Sequence, residues 1–299
     1  MSEELNRFAV IGGSQAYALL KRGAIGGKRL GPRNTPFGWS QPIFELRAPL
    51  EGAPEFYFLS RHGEDRYAVT ASFVNYRANI YALRDLGVTQ VVSWSGPGAI
   101  NTGYAVGEFV VIDDVIDETR SRPATFFEGK GIGFVRQSPT FCPHLRRAVI
   151  AALEQMKCGH STRGTYVCTE GPRLETAAEI RKFKVIGGDL VGMTLVPEVF
   201  LAKELEMCCA AICYVTNYAE GVRPLGSADF QPGRLFEGLA SDEEMRKADE
   251  AVALFPEIIS RIAASTVARS TRDCRCPRLM ERYRQRGDIS DDWREWVRK

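Results

Sequence analysis

The order of strand-like and helix-like segments is the feature that most limits how this chain can fold. Short runs rich in β-branched and aromatic residues alternate with longer segments whose apolar residues recur at helical spacing. The predicted strands are Arg7–Ile11, Glu55–Ser60, Gln90–Ser93, Phe109–Ile112, Gly164–Cys168 and Ala210–Val215. The predicted helices are Ala71–Leu86, Cys142–Met156, Glu175–Lys184, Pro197–Leu205 and Asp242–Ala264. This alternation predicts an α/β fold, in which helices cover both faces of a sheet.

Length and charge narrow the classes of protein to which the chain can belong. Its 299 residues can bury a large core, and α/β folds of this size are often one domain. The formal net charge of +2 is too small for binding that depends on neutralising nucleic-acid phosphates. The first residues lack a basic signal-peptide region, and no apolar segment approaches the ~20 residues of a membrane span. We therefore expect a cytoplasmic protein without nucleic-acid or membrane partners.

Three of the predicted strands end in polar, glycine-rich turns. These turns are Gly12-Gly13-Ser14, Arg61-His62-Gly63 and Ser95-Gly96-Pro97-Gly98. Ligands of α/β proteins bind at the carboxyl ends of the strands, and hydroxyls, free amides and a guanidinium suit an oxyanion such as phosphate. Ordinary tight turns remain an alternative. The GxGxxG and GxxxxGK[ST] spacings are missing, which argues against a dinucleotide-dependent oxidoreductase or a nucleoside triphosphate site.

The eight cysteines have no paired CxxC spacing, and the three histidines form no evident ligand cluster with them. Six cysteines in apolar surroundings are predicted to be small buried hydrophobic residues: Cys142, Cys158, Cys168, Cys208, Cys209 and Cys213. Cys274 and Cys276 lie in a basic tail, where a strained disulfide, a redox site and free thiols all remain open. No metal site is expected from this pattern.

The stretch EGPRLETAAEI, residues 170–180, begins with a Gly-Pro turn and continues into a helix-like pattern. Arg173, Glu175 and Glu179 place three charges near one turn. A solvated helix start and a ligand contact are both consistent with these residues.

Nine ordered motifs carry a family resemblance over residues 7–265: VIGGS, TPFG, SRHG, VNYRANIYAL, SGPGAI, VGEFVVIDDVID, TEGPRLET, VGMTLVPEV and VTNYAEG. The chain resembles the trimeric purine nucleoside phosphorylase and methylthioadenosine phosphorylase family, and RHG, NYRANIYAL, EGPR and VGMTLVPEV resemble the methylthioadenosine branch more closely. The resemblance implies a single phosphorylase domain in residues 1–265, with a mixed, partly barrel-like central sheet flanked by helices. It also implies a homotrimer or a dimer of trimers. Residues 266–299 form a charged tail outside it.

The resemblance implies a reaction in which inorganic phosphate attacks the anomeric carbon of a purine ribonucleoside. The products are the free base and a ribose 1-phosphate, and no metal or cofactor is required. Positioning and hydrogen bonds to the departing base then account for most of the catalysis. By resemblance, the phosphate ligands are Ser14, Arg61, His62, Ser95 and Thr194. The residues expected to contact the nucleoside are Gly96, Phe134, Leu174, Glu175, Met193 and Asn217.

Glu175 and Asn217 fall at the base-reading positions of the family and, with His62, are the expected catalytic residues. In 6-oxopurine enzymes the glutamate accepts the N1 proton and the asparagine bonds O6 and N7. Methylthioadenosine enzymes have an aspartate at the second position, and this chain departs from that pattern. Because an amide can donate to O6, whereas a carboxylate would oppose it, we expect hypoxanthine or guanine as the base.

The resemblance leaves the sugar specificity open between a 5′-hydroxyl and a 5′-methylthio group. Residues 223–238 are expected to form a lid near the 5′ group, so that 5′-methylthioinosine and 5′-methylthioadenosine both remain alternatives. Phe134 falls where a neighbouring subunit reaches over the ribose, and a core phenylalanine is the alternative. Trp293 and Trp296 can dock the tail on its own subunit or on another. A nucleoside-binding module without turnover is the non-enzymatic alternative.

Overall fold

The computed structural model describes residues 6–48, 50, 52–64, 67–223, 239–267 and 272–297. All of the expected lid except Arg223 lies outside these residues. The strands are β1 Arg7–Gly12, β2 Gly27–Gly31, β3 Asn34–Thr35, β4 Gly38–Trp39, β5 Ile43–Leu46, β6 Phe56–Ser60, β7 Val88–Ser95, β8 Gly98–Ala99, β9 Phe109–Val111, β10 Asp114–Glu118, β11 His160–Ser161, β12 Thr165–Thr169, β13 Leu190–Gly192, β14 Cys208–Tyr214 and β15 Asn217–Tyr218.

The α-helices are α1 Ser14–Lys21, α2 Tyr76–Asp85, α3 Pro143–Gln155, α4 Ala177–Val185, α5 Glu198–Glu204, α6 Asp242–Ala253, α7 Phe255–Val267, α8 Glu281–Gln285 and α9 Trp293–Trp296. Short 3₁₀ helices occupy Ala71–Phe73 and Cys276–Arg278. Within the described residues, no helix has the length and hydropathy needed to cross a membrane.

The main sheet has eight strands in the order β11-β9-β14-β7-β1-β6-β5-β2, and a second sheet has five in the order β10-β12-β13-β8-β15. Strands β14, β7, β1 and β6 run parallel, whereas β9 runs antiparallel to β14 and parallel to β11, and β5 runs antiparallel to both β6 and β2. The predicted mixed sheet flanked by helices is therefore confirmed. In the described part of the chain neither sheet closes into a barrel, so the partly barrel-like sheet that we expected does not appear as a closed barrel.

The parallel strands bring the three glycine-rich turns to one edge of the main sheet. Gly12 pairs with Ser60, and the Arg61 amide donates to the Gly12 carbonyl at 2.9 Å. Strand β7 ends at Ser95 on the other side of β1. The turns predicted to form a ligand edge are thus neighbours because their strands are parallel.

Two predicted helices are each interrupted in the structure. The segment predicted as one helix from Ala71 is broken at Val74, which is extended, and the Asn75 side chain caps the new helix by accepting from the Ala78 amide at 3.1 Å. The segment predicted from Asp242 divides between α6 and α7. Pro256 lacks the N–H that a continuous helix needs there, and it disfavours helical geometry at the preceding residue.

The C-terminal tail packs on its own subunit, which is one of the two alternatives that the sequence left open. Tyr283, Trp293 and Trp296 are buried in the same hydrophobic cluster as Ala9 and Ile11 of β1. Arg284 forms an ion pair with Glu206 at the carboxyl end of α5. Aromatic burial and a charge pair therefore both hold the tail against the domain.

Four of the cysteines form a cluster that the sequence analysis did not predict. The Sγ atoms of Cys142, Cys208, Cys274 and Cys276 all lie within 4.8 Å of one another. Sequence spacing gave no sign of this cluster because its members come from three distant parts of the chain, which only the tertiary fold brings together.

Candidate active site

The turn after β1 lies directly beside the residues that follow β6. A Cβ atom placed on Gly13 would lie 3.8 Å from His62 Cδ2 and 4.0 Å from Arg61 Nη1. Ser14 begins α1, and its Oγ is buried with no hydrogen-bond partner among the described residues. A buried hydroxyl without a partner is costly, so a ligand oxygen at this turn would satisfy it.

Arg61 is buried and forms a two-point ion pair with Glu198. Its Nε and Nη2 donate to the two carboxylate oxygens at 2.5 and 2.9 Å, and Ser93 Oγ donates to the same carboxylate at 2.7 Å. Burial disfavours the charged guanidinium, but the Glu198 carboxylate outweighs burial and raises the pKa of Arg61. The guanidinium fork is therefore occupied by protein, and Nη1 is the nitrogen nearest the Gly13 turn.

Sequence reasoning missed Glu198, although a signal was present. Its carboxylate stands in the apolar stretch VPEVF, where a charge needs a buried partner. The sequence could not identify Arg61 as that partner, since 137 positions separate the two residues.

His62 is buried and neutral at pH 7. Its Nδ1 lies 2.8 Å from the Val69 carbonyl oxygen, which can only accept, so Nδ1 carries the proton. Burial and the neighbouring Arg61 charge lower the pKa of His62 to about 4. The other ring nitrogen, Nε2, consequently presents a lone pair, which can accept a hydrogen bond from a protonated oxyanion.

Ser95 and Thr194 come together although 99 positions separate them. Their hydroxyl oxygens are 3.0 Å apart, and the Tyr166 hydroxyl lies 3.4 Å from Ser95 Oγ and 3.5 Å from Thr194 Oγ1. Burial raises the pKa of Tyr166, so the phenol stays protonated and can donate. The structure thus joins two expected phosphate ligands and adds a tyrosine that sequence reasoning did not select.

A buried arginine, Arg122, holds the loops after β12 and β13 in place. Its guanidinium donates to the carbonyls of Thr169 and Glu170 at 2.9 and 2.7 Å, and to those of Met193 and Val196 at 2.6 and 2.7 Å. Two loops that carry expected substrate contacts are therefore tied to one side chain. Arg122 was also missed, because a lone arginine before a proline gives no sequence signal.

The three charges near the start of α4 have different roles. Thr176 and Glu179 form a reciprocal capping box, and Arg173 pairs with Glu179 at 2.7 Å. That pairing lowers the pKa of Glu179 to about 2. Glu175 lies before the helix and instead accepts from Thr169 Oγ1 at 2.5 Å through Oε1. The solvated helix-start interpretation therefore describes Arg173 and Glu179, while Glu175 is half-buried and held by β12.

Asn217 is buried on β15, beside Gly98 of β8. Its Nδ2 donates to the Tyr218 carbonyl at 2.8 Å, and its Oδ1 accepts from Thr216 Oγ1 at 2.6 Å. A Cβ on Gly98 would lie only 3.2 Å from Nδ2, so a larger residue there would crowd the Asn217 amide. Because a carboxylate would face the Tyr218 carbonyl as acceptor against acceptor, the local backbone itself favours an amide at this position.

The segments that carry Glu175 and Asn217 meet. A Cβ on Gly221, shortly after Asn217, would lie 2.6 Å from Ala177 Cβ, shortly after Glu175. Both segments also contribute to one small hydrophobic cluster. The chain therefore brings a half-buried carboxylate and a buried amide to one region of the second sheet.

Of the other residues expected to contact the nucleoside, two lie inside the protein and two lie at its surface. Gly96 fits closely, since a Cβ there would lie 2.7 Å from Thr216 Cγ2, and Met193 packs against Gly171. Leu174 is exposed, and Phe134 is 77% exposed. The core-phenylalanine alternative is therefore wrong, and Phe134 presents an apolar ring at the subunit surface.

Comparison with known proteins identifies the family. The model of the phosphorylase superfamily matches residues 53–263. The chain belongs to this superfamily. It is 42% identical over 223 residues to the 6-oxopurine nucleoside phosphorylase of Pyrococcus furiosus, covering 72% of this chain and 81% of that relative. It is also 42% identical over 217 residues to the probable S-methyl-5′-thioinosine phosphorylase of Methanothermobacter thermautotrophicus, covering 72% of each chain.

Solved phosphorylase structures share the fold. A methylthioadenosine phosphorylase from an antarctic soil metagenomic library superposes with a TM-score of 0.76 at 28% identity, covering 92% of this chain and 91% of that chain. The methylthioadenosine phosphorylase of Schistosoma mansoni in complex with tubercidin gives 0.71 at 27% identity, covering 88% of this chain and 92% of that chain. The family resemblance inferred from the nine sequence motifs is thereby confirmed.

Proposed function

We propose that this phosphorylase cleaves 6-oxopurine ribonucleosides with inorganic phosphate, giving the free base and a ribose 1-phosphate. The observation that carries the proposal is the buried amide of Asn217, which lies in a backbone setting that favours an amide over a carboxylate. The relatives named above as 6-oxopurine and methylthioinosine phosphorylases support the same base class.

Phosphate binds at the edge formed by the turns after β1, β6 and β7. The unpartnered Ser14 hydroxyl, Arg61 Nη1 and the Ser95–Thr194 pair supply donors, and the His62 lone pair accepts the proton that a phosphate monoanion or hydrogen phosphate retains. A phosphate oxygen then forms a bond to C1′ while the C1′–N9 bond breaks, and the electron pair leaves with the base. Neither a metal nor a cofactor takes part in this proposed reaction.

The base binds between Glu175 and Asn217. Glu175 Oε1 already accepts from Thr169, so Oε2 accepts the N1 proton of the base. Asn217 retains a second Nδ2 hydrogen for O6 and a second Oδ1 lone pair for a protonated N7. Each such charge-assisted hydrogen bond contributes about 1.5 to 3 kcal/mol, enough to discriminate between base classes.

The sugar site is completed by a second subunit of a homotrimer. Phe134 supports this arrangement, because its exposed ring is presented by a segment whose backbone amide donates to the buried Tyr283 hydroxyl at 2.9 Å. By resemblance, Phe134 also falls where a neighbouring subunit reaches over the ribose in this family. The cytoplasm is the proposed location. For the 5′ group, methylthioinosine is the second candidate, supported by the methylthioinosine phosphorylase relative.

The decisive measurement is kcat/KM for five nucleosides with phosphate: inosine, guanosine, 5′-methylthioinosine, adenosine and 5′-methylthioadenosine. We expect the three 6-oxopurine compounds to be cleaved much faster than the two adenine compounds. Comparing inosine with 5′-methylthioinosine, and adenosine with 5′-methylthioadenosine, then identifies the preferred 5′ group of the sugar. Equal or greater efficiency with the adenine compounds would refute the role of Asn217. Nucleoside binding without phosphate consumption would identify a binding module instead.

The same panel tests the two base contacts. Asn217→Asp is expected to reduce cleavage of 6-oxopurines roughly ten- to hundredfold and to shift the preference toward adenine, because the new carboxylate opposes O6. Adding Glu175→Ser should favour adenine more than the two single changes combined, since adenine has no N1 proton. If both single variants keep the parental preference and the parental melting temperature, the base is read elsewhere.

A further inference from the structure

The four clustered cysteines lie away from the candidate active site. Cys208 is the first residue of β14, whose last residues approach Gly96 at the opposite end of the strand. At about 3.3 Å per residue, the length of β14 separates the two ends by about 20 Å. The cluster therefore stands at the amino ends of the parallel strands, and catalysis at their carboxyl ends does not explain it.

Three parts of the chain contribute the four thiols. Cys142 directly precedes α3, Cys208 begins β14, and Cys274 and Cys276 belong to the C-terminal tail. Cys142 and Cys208 are buried, while Cys274 and Cys276 are half-buried, which leaves an approach from solvent. The neighbouring Cys209 points away from this group, because successive residues of a strand face opposite sides of the sheet.

The distances fit a tetrahedral thiolate site. Four sulfurs around one Zn²⁺, each at about 2.3 Å, would be about 3.8 Å apart. Here every Sγ lies within 4.8 Å of the other three, and Cys208 Sγ is 3.4 Å from Cys274 Sγ. The four atoms therefore converge on one centre with small adjustments of their side chains.

A buried cation beside the cluster suits the charge of such a site. Four thiolates around a divalent ion leave two negative charges, which are costly to bury without a counter-ion. Lys203, near the end of α5, is buried. Its Nζ donates to the Pro139 carbonyl at 2.8 Å, close in sequence to Cys142.

We propose that Cys142, Cys208, Cys274 and Cys276 bind one Zn²⁺ as a structural site that fastens the C-terminal tail to the domain. Binding replaces four S–H bonds by four S–Zn bonds and releases the thiol protons. No oxidant or reductant is needed. This site goes beyond the proposed function, because it takes no part in phosphorolysis.

The C-terminal tail connects the cysteine cluster to the segment that carries the exposed Phe134. Cys276 begins a short 3₁₀ helix, and Tyr283 follows it with its hydroxyl accepting from the Phe134 amide. Lys130, just before Phe134, donates to the Trp296 carbonyl at 2.9 Å. Loss of the metal is thus expected to loosen the support under Phe134 as well as the tail itself.

The first test measures metal and thiols in the full-length protein purified without chelator. We expect about one zinc per chain by elemental analysis, eight reactive thiols after denaturation without reductant, and native mass spectra that show zinc on a fully reduced chain. Zinc well below stoichiometry after growth with added zinc would overturn the proposal. Disulfides among these four cysteines would overturn it too, and iron in place of zinc would overturn the identity of the ion.

The second test uses matched serine variants. Cys276→Ser is expected to lose most of the zinc, whereas Cys158→Ser, a half-buried cysteine outside the cluster, should keep it. If Cys276→Ser does not fold, a chelator titration of the parent protein replaces it. There we expect zinc release to lower the melting temperature and added Zn²⁺, but not Mg²⁺, to restore it. Zinc release without any change in melting temperature would refute a structural role.

Discussion

The buried pair of Arg61 and Glu198 gives the sharpest test of how the phosphate edge is held together. Both side chains are at most 2% exposed, so solvent screens their interaction little. Replacing Glu198 by Gln removes the carboxylate and leaves the Arg61 charge buried without compensation. Breaking a buried pair in this way costs about 3 to 5 kcal/mol of unfolding free energy. At about 2 to 4 °C per kcal/mol, the melting temperature should fall by roughly 6 to 20 °C.

The control is the same substitution at an exposed pair. Glu243 and Lys247 lie 2.8 Å apart on α6 with side chains 67% and 49% exposed. Glu243→Gln should change the unfolding free energy by less than about 1 kcal/mol. Differential scanning calorimetry of the two variants and the parent measures the difference directly. A Glu198→Gln protein that melts within about 2 °C of the parent would refute the reasoning.

Phosphate provides a second measurement on the same variant. Without Glu198, the Arg61 fork has lost its partner, and a bound phosphate dianion can take over part of that role. Phosphate should therefore raise the melting temperature of Glu198→Gln by more degrees than that of the parent, since a ligand that binds only the folded state stabilises it. An equal phosphate shift in both proteins would mean that Arg61 does not face the phosphate.

Two further outcomes are expected. Because the pKa of His62 is about 4 in the folded chain against 6.5 when exposed, the unfolded state binds more protons between these values, and stability is lost as pH falls through this window. Urea titrations between pH 7.5 and pH 5 should show that the free energy of unfolding falls by about 2 kcal/mol less in His62→Gln than in the parent. An equal fall in the two proteins would refute a neutral, buried His62 ring. Phe134→Ala should keep the melting temperature but raise the nucleoside KM, and mixing it with inactive Asn217→Ala subunits should restore activity. No restoration would place Phe134 outside the neighbouring site.

Periodicity and motifs predicted most of the individual elements. The strands from Arg7, Glu55, Gln90 and Ala210 are present with ends shifted by a few residues, because a continuous apolar run is what a strand buried on both faces requires. The two helix breaks were not predicted. Val74 and Pro256 interrupt segments whose apolar spacing is continuous, and spacing alone does not report a local backbone constraint.

The sequence by itself determined the α/β class, the glycine-rich turns that end the central strands, and the family to which the chain belongs. Only the tertiary structure decided which distant groups meet: Arg61 with Glu198, Ser95 with Thr194 and Tyr166, and the tail cysteines with Cys142 and Cys208. The physical reason is that periodicity and turn chemistry act between near neighbours along the chain. The partner of a buried charge, hydroxyl or thiol is chosen instead by strand order and by packing across the sheet.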